Sequence, residues 1–341
     1  MSNQAVDAAF MSRANSLAIK GLGLTGSNPI VGAILVDQAG NVVGEGFHSG
    51  GPHAEVIAIS DAGDLAKDAT LYVTLEPCNH QGKTGPCVEA ILSAGIKKVI
   101  YGSQDPNPIA QGGADSLATA GIQVEQISNT SEVEKSNRAW LHKIRNARPF
   151  FTWKVAMTLD GRTAAQDGTS KWITSEDSRA DVNLMRSQSD AILIGTGTAL
   201  IDNPRLVPHD LPEPMNPRSV NPIRIVMGTR EVPLDFNLHD DQAETIFVRS
   251  HNFSELIAFC NERGLNQVMV EAGSVLGTAM LKAELIDELV IYQAPILLGA
   301  GKSFIGDLGI TNIAEKLKLT LKSSTQIGSD IRLVLSRESG S

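Results

Sequence analysis

Three residues set far apart along the chain, His53, Cys78 and Cys87, place the strongest constraint on its fold. One imidazole and two thiolates can hold a zinc ion, but only if folding brings them together. His53 follows Gly50-Gly51-Pro52 and leads an apolar helical pattern of Val56, Ile57 and Ile59. Cys78 follows Pro77 at the carboxyl end of a strand pattern, Leu71–Leu75, and Cys87 follows Pro86 and opens the helix pattern Val88–Ala94. Strand ends and helix starts are the ligand edge of an open α/β sheet. A helix N-terminus also favours the thiolate that a metal needs. Three protein ligands leave the fourth tetrahedral position for water, which is the catalytic arrangement. Glu55, two residues past the histidine, can move protons between that water and a substrate nitrogen without binding the metal. A structural zinc with His80 as fourth ligand is the competing reading, and it gives Glu55 no task.

The first half alternates helices and strands around this stretch. Residues 4–22 read as an amphipathic helix and not a signal peptide. Strands are expected through Val36 and over Val42–Phe47, Leu71–Leu75, Lys97–Tyr101 and 122–127, with helices over 114–120 and 131–145. That alternation implies a three-layer α/β domain with helices on both faces. With 341 residues the chain is long enough for about two domains. A boundary near Arg148-Pro149 divides it into 1–147 and 148–341. The net charge of -9 and the lack of a basic run argue against nucleic acid or an anionic membrane as a partner. No apolar run approaches the length of a membrane span. With three cysteines, two of them claimed by the metal, disulfides are not expected, and the cytoplasm is the natural compartment. Cys260 lies on an apolar helical pattern and reads as a core thiol.

His-x-Glu followed by Pro-Cys and a second cysteine is the signature of zinc deaminases, although eight residues separate the two cysteines here. Asn28-Pro29-x-Val31-Gly32, His53-Ala54-Glu55, Glu76-Pro77-Cys78-Asn79-His80-x-Gly82-x-Thr84-x-Pro86-Cys87 and Gln104-Asp105-Pro106-Asn107-Pro108 resemble the deaminase part of the bifunctional riboflavin-biosynthesis deaminase/reductases, a branch of the cytidine-deaminase-like superfamily. The long gap between cysteines is that family's pattern. Gly85 and the pair Gly112-Gly113 depart from it, off the metal ligands. The resemblance implies zinc on His53, Cys78 and Cys87, Glu55 as the proton carrier, and Asn28 at the substrate.

The second half reads as another α/β domain. Strands are expected at Phe150–Ala156, Ala191–Ile194, Ile223–Met227, Thr245–Val248, Gln267–Glu271, Glu288–Gln293, Leu317–Leu321 and Ile331–Leu335. The Pro- and Asn-rich segment from Asp202 to Pro222 reads as a loop. Gly195-x-Gly197 and Gly273-x-x-x-Gly277 are strand-to-helix turns that could cradle phosphate or simply pack a helix. Lys154-x-Ala156-x-Thr158-Leu159-Asp160-Gly161-Arg162, Ser170-x-Trp172-Ile173-Thr174-Ser175, Asp202-x-Pro204-x-Leu206 and Glu271-Ala272-Gly273 resemble the reductase domain of the same family, which is similar to dihydrofolate reductase in fold. The resemblance implies NADPH near Met157, Trp172, Thr198, Asp202, Thr229 and the run Gly273, Ser274, Val275, Leu276, Gly277, Thr278 and Ala279. It implies substrate near Lys154, Ser170, Arg186, Leu206 and Glu271. Thr158 stands for a usual serine, Gly228-Thr229 for Asp-Ser, and His209 for an arginine that contacts substrate, with Arg205 close by. Arg230 is open to two readings, a partner for the 2′-phosphate or a surface charge.

The implied chemistry is zinc-assisted hydrolytic deamination of a phosphoribosylated diaminopyrimidine, then NADPH-dependent reduction of its ribosyl group to ribityl, in a homo-oligomer. Three alternatives stay open at this point: a weakened reductase, marked by His209 and Gly228-Thr229; a nucleic-acid base deaminase; and a non-enzymatic zinc module.

Overall fold

The computed structural model describes residues 3–80, 85–209, 211 and 221–337. Gln81–Thr84 of the cysteine motif, and most of the loop expected between Asp202 and Pro222, lie outside the described residues. The chain forms two compact units, Met1–Arg148 and Pro149–Ser341.

The first unit runs α1 (Asn3–Ile19), β1 (Gly32–Val36), β2 (Val42–Phe47), α2 (Ala54–Ala62), β3 (Thr70–Leu75), α3 (Cys87–Ser93), β4 (Lys98–Ser103), α4 (Gly113–Thr119), β5 (Gln123–Gln126), α5 (Ser131–Ser136) and α6 (Arg138–Asn146). The sheet order is β2-β1-β3-β4-β5. β1 is antiparallel to both its neighbours, and β3, β4 and β5 are parallel. Strand side chains alternate between faces. Ala33, Leu35, Leu71, Val73 and Val99 therefore pack with Ala58 of α2, Ile91 of α3 and Leu117 of α4. Ile34, Val36, Tyr72 and Ile100 meet Met11, Ala14 and Leu17 of α1 and Val133 of α5 on the other face. The result is three layers. A Cβ at Gly46 of β2 would lie 2.3 Å from the Ala54 carbonyl oxygen, so its absence lets the start of α2 rest directly on the strand.

The helix expected over 131–145 is two helices that part at Asn137. Its buried amide accepts from Ile30 N–H at 2.9 Å and donates to the Ile30 carbonyl at 2.7 Å. That long-range pair fixes Asn137 in place, and the helix restarts beyond it.

The second unit contains β6 (Phe150–Thr158), β7 (Arg162–Ala165), α7 (Glu176–Ser187), β8 (Ala191–Gly195), α8 (Thr196–Asp202), β9 (Ile223–Met227), β10 (Thr245–Val248), α9 (Phe253–Glu262), β11 (Gln267–Val270), α10 (Ser274–Lys282), β12 (Glu288–Ala294), β13 (Gly301–Ser303), β14 (Leu319–Ile327) and β15 (Asp330–Arg337). Eight strands form one sheet in the order β10-β9-β8-β11-β6-β12-β15-β14, and β13 pairs with β7 separately. The strands from β10 to β12 are parallel, and β15 and β14 close the far edge antiparallel. Alternation again splits the core. Leu193, Val268 and Val270 face Leu256 and Cys260 of α9 and Met280 of α10, so Cys260 is a core thiol. Ile192, Ile194 and Val226 face Ala199 of α8, and Met269 and Val290 face Val182 of α7.

Candidate functional site

His53 caps α2 with extended backbone (φ -70°, ψ 154°), directly after the Gly-Gly-Pro turn. Cys78 follows β3, and Cys87 is the first residue of α3. The three side chains converge. His53 Nδ1 lies 3.1 Å from Cys87 Sγ and 3.5 Å from Cys78 Sγ, and the three donor atoms all sit within 4.8 Å of one another. Tetrahedral zinc with ordinary bond lengths sets nitrogen and sulfur about 3.5 Å apart, so the donor set fits that ion. His80 is not in the group. The cluster is therefore a three-ligand one among the described residues, which leaves a position for water.

The electrostatics suit the same use. A hydrogen bond from Cys87 lowers the Cys78 pKa and favours its thiolate, and His53 and the Cys87 backbone N–H add to this. Donation to Cys78, together with burial, pushes Cys87 up. The hydrogen bond with Cys78 raises the His53 pKa. Glu55 is buried in the first turn of α2, at 4% exposure, and desolvation raises its carboxyl pKa. A carboxyl biased toward protonation can both take and return a proton near neutral pH.

Two residues to which no role falls on sequence grounds support this centre. His48 is buried edge-on to His53, with ring centroids 5.6 Å apart. Its Nδ1–H donates to the Pro52 carbonyl at 3.0 Å, and its Nε2 accepts from Asn28 Nδ2 at 3.4 Å. It thereby ties exposed Asn28 to the turn that delivers His53. Burial lowers the His48 pKa, which suits the neutral ring these bonds need. Glu76, buried next to Pro77-Cys78, accepts backbone N–H bonds from Asp105 (3.2 Å), Gly112 (3.1 Å) and Ala114 (3.2 Å). It draws the loop after β4 over Cys78, and Ala110 of that loop packs on both cysteines. A Cβ at Gly113 would lie 1.7 Å from the Pro77 carbonyl oxygen, which shows how close the two backbones run. Glu76→Ala leaves one buried and two part-buried donors without this acceptor and is expected to destabilise the first unit by about 2–4 kcal/mol and to weaken metal retention. Denaturant titration and metal content after gel filtration check this; a variant with wild-type values in both would remove Glu76 from the account.

In the second unit, Glu271 follows β11, and Arg186 near the end of α7 meets it in a bidentate pair at 2.5 and 2.8 Å. Lys154 of β6 lies within electrostatic reach of both. Desolvation lowers its pKa, opposed by Glu271. Ser170 and Trp172 lie in the segment before α7. Trp172 is 70% exposed, with the Arg179 guanidinium 4.5 Å above its ring. Met157 is buried in β6. Thr198 is in the first turn of α8, Asp202 ends that helix, and Thr229 is exposed in the turn after β9.

Gly273 caps α10 with open space around it, and Ser274, Val275 and Leu276 form the first turn, where backbone N–H groups are free. Ala279 is exposed one turn on. Gly277 and Thr278 have internal work. A Cβ on Gly277 would lie 2.0 Å from the Trp153 ring, and Thr278 Oγ1 accepts from Gly306 N–H at 2.8 Å. The Leu206 side chain is also internal, in the core beneath α8 with φ 55°, so only its main chain is free to meet a ligand. His209 is exposed, and the Asn183 side chain holds its main chain on both sides.

The cytidine and deoxycytidylate deaminase zinc-binding region model matches residues 4–103, and the RibD C-terminal domain model matches 149–333. The riboflavin biosynthesis protein RibD of Mycobacterium tuberculosis is 42% identical over 316 residues, 92% of each chain. The chain belongs to the RibD family. The RibD of Aquifex aeolicus is 38% identical over 97% of this chain and 99% of its own. A RibD structure from Acinetobacter baumannii superposes with a TM-score of 0.90 at 34% identity, covering 99% of this chain and all of that one. A Thermotoga maritima structure, described as a diaminohydroxyphosphoribosylaminopyrimidine deaminase/5-amino-6-(5-phosphoribosylamino)uracil reductase, gives 0.88 at 32% identity, with 98% and 99% covered. As a member of that family, the chain is a bifunctional enzyme of riboflavin biosynthesis, a hydrolytic deaminase joined to an oxidoreductase. Its folds are the cytidine-deaminase-like one followed by the dihydrofolate-reductase-like one. Zinc serves the first activity and NADPH the second, and the substrate is a small pyrimidine. No described helix is long and apolar enough to cross a membrane.

Proposed function

We propose that residues 1–147 deaminate 2,5-diamino-6-(5-phosphoribosylamino)pyrimidin-4-one and that residues 148–341 then reduce its ribosyl group to ribityl. The convergence of His53, Cys78 and Cys87 beside buried Glu55 carries this reading. His53 Nδ1 and the two sulfurs hold the metal. Zinc, when bound, supplies the Lewis acidity that brings the pKa of a water toward neutrality. Glu55 takes a proton from water as its oxygen bonds to the carbon bearing the exocyclic amine. The same carboxyl returns a proton to the nitrogen as the C–N bond breaks and ammonia leaves. Asn28, steadied by His48, lies at the mouth of the turn to meet the ring.

NADPH, when bound, supplies the hydride for C1 of the opened ribosyl group. The turn at Gly273–Leu276, together with Trp172, Thr198, Asp202 and Thr229, borders its site. Arg186 spends Nε and one Nη on Glu271, which leaves the other Nη to meet the substrate with Ser170 and the main chain near Leu206. Lys154 places its ammonium beside this pair. The chain works as a cytoplasmic homo-oligomer with no nucleic-acid partner. Three free thiols and a net charge of -9 support the compartment and the lack of such a partner, and light scattering during gel filtration tests the assembly.

Incubation of the zinc-loaded protein with freshly made substrate, reading ammonia and NADPH absorbance together, tests the whole. Ammonia release followed by NADPH consumption is expected. Ammonia without NADPH loss overturns the second half of the proposal and points at His209 and Gly228-Thr229. Neither signal, with zinc bound, overturns both halves.

A further inference from the structure

We infer that Arg230 recognises the 2′-phosphate of NADPH and so sets the reductase's preference for the phosphorylated dinucleotide. The inference rests on the reading that NADPH lies along the carboxyl edge of β8, β9 and β11.

β8 and β9 are parallel and in register, with Gly195 beside Met227. The turns that follow them, 196–198 and 228–230, therefore emerge side by side. Two glycines set how closely they meet. Gly228 has φ +134°, and a Cβ there would lie 2.6 Å from Thr196 Oγ1. A Cβ on Gly197 would lie 2.9 Å from Arg230 Nη2. The guanidinium is thus laid across the backbone of the first turn at a point where no side chain stands. Arg230 is exposed, and among the described residues no ion pair engages it. The adjacent carboxylate, Glu231, pairs with Arg249 at 3.5 Å instead. An uncommitted planar fork of donors carried on a turn, with Thr229 preceding it in the chain, matches a phosphate dianion.

Its place along the edge matches the dinucleotide. The turn after β9 is two strands from Gly273, because Glu271 N–H bonds to Leu193 of β8 and puts β11 on the other side of that strand. At ~4.8 Å per strand the separation is about 10 Å. A ribose with phosphates on its 5′ and 2′ oxygens extends along such an edge. A dinucleotide lacking the 2′-phosphate offers Arg230 nothing, so the residue discriminates without adding general affinity.

Fluorescence titration of the full zinc-loaded chain with NADPH and with NADH, using 2′,5′-ADP as a competitor, reads binding apart from turnover. Arg230→Gln is expected to weaken NADPH about 10–100-fold, to leave NADH unchanged, and to abolish competition by 2′,5′-ADP. Arg230→Lys is expected to recover part of the loss. Equal effects on both dinucleotides, or none on either, overturn the inference while the reductase reading stands. A wild-type protein that binds neither dinucleotide overturns the underlying reading as well.

Discussion

Glu55→Gln is expected to lose ammonia release by roughly 10²–10⁴-fold in kcat while keeping zinc at the wild-type content. The amide has the shape of the carboxyl but can neither take a proton from water nor return one to a leaving amine. The metal is indifferent to the change, because the cluster that can hold it consists of His53, Cys78 and Cys87. Stability supplies an independent readout. A carboxyl whose folded pKa lies above its unfolded value binds protons more readily when folded, so its burial costs stability once pH rises above the unfolded carboxyl range. Desolvation puts Glu55 in that class. In the metal-free protein the neutral amide escapes the cost, so the metal-free variant is expected to unfold at the same or higher denaturant concentration than metal-free wild type above neutral pH. Reduction of the separately prepared deaminated intermediate should continue. A variant that turned over amine at a near-native rate would sink the role of Glu55. One that lost zinc as well would show that the side chain is structural.

The metal centre was legible because each ligand carries its own local signal. Proline precedes both cysteines, Gly-Gly-Pro precedes the histidine, and a carboxylate follows at a spacing that only a helix start makes useful. Glu76 stands in the matching motif beside Pro77-Cys78, but nothing local gives it a role. Its function lies in accepting three N–H bonds from the loop after β4 and the start of α4, 29 to 38 residues away, and long-range backbone pairing leaves no periodic trace in sequence. His48 is of the same kind, since its partners are a carbonyl and an amide. The strands of the parallel cores were readable as apolar runs. β14 was only half readable, because Ser323, Ser324, Thr325 and Gln326 lie on an outer edge strand where no second layer demands apolar residues. Gly277 shows the opposite trap. On sequence it can be a phosphate-cradle glycine or, more often, a packing glycine, and the Trp153 ring over it gives it the packing part.

Arg186→Ala is expected to stop reduction and to lower the stability of the second unit by about 3–5 kcal/mol, with ammonia release intact. The pair with Glu271 is poorly exposed, 21% and 10% at the two side chains. Removing the guanidinium leaves a poorly exposed carboxylate without its partner, with Lys154 the remaining cation that acts on it among the described residues. Desolvation is the largest influence on Glu271 and raises its pKa, but the charge and hydrogen bonds of Arg186, with the charge of Lys154, outweigh it and leave the pKa lowered. In the wild type the pair's contribution is therefore present above the unfolded carboxyl pKa of about 4.3 and fades as pH falls through the folded value. In the variant desolvation is freed to raise the Glu271 pKa, so the deficit is expected to be largest near pH 7.5 and to shrink on acidification as the stranded carboxylate takes a proton. Arg186→Ala combined with Glu271→Ala removes the stranded charge and is expected to recover much of the stability at pH 7.5 without restoring reduction. Denaturant unfolding of the full chain at several pH values separates the causes. A deficit that does not change with pH, and that the double variant does not relieve, would mean that lost packing around α7, and not a buried unpaired charge, accounts for the damage.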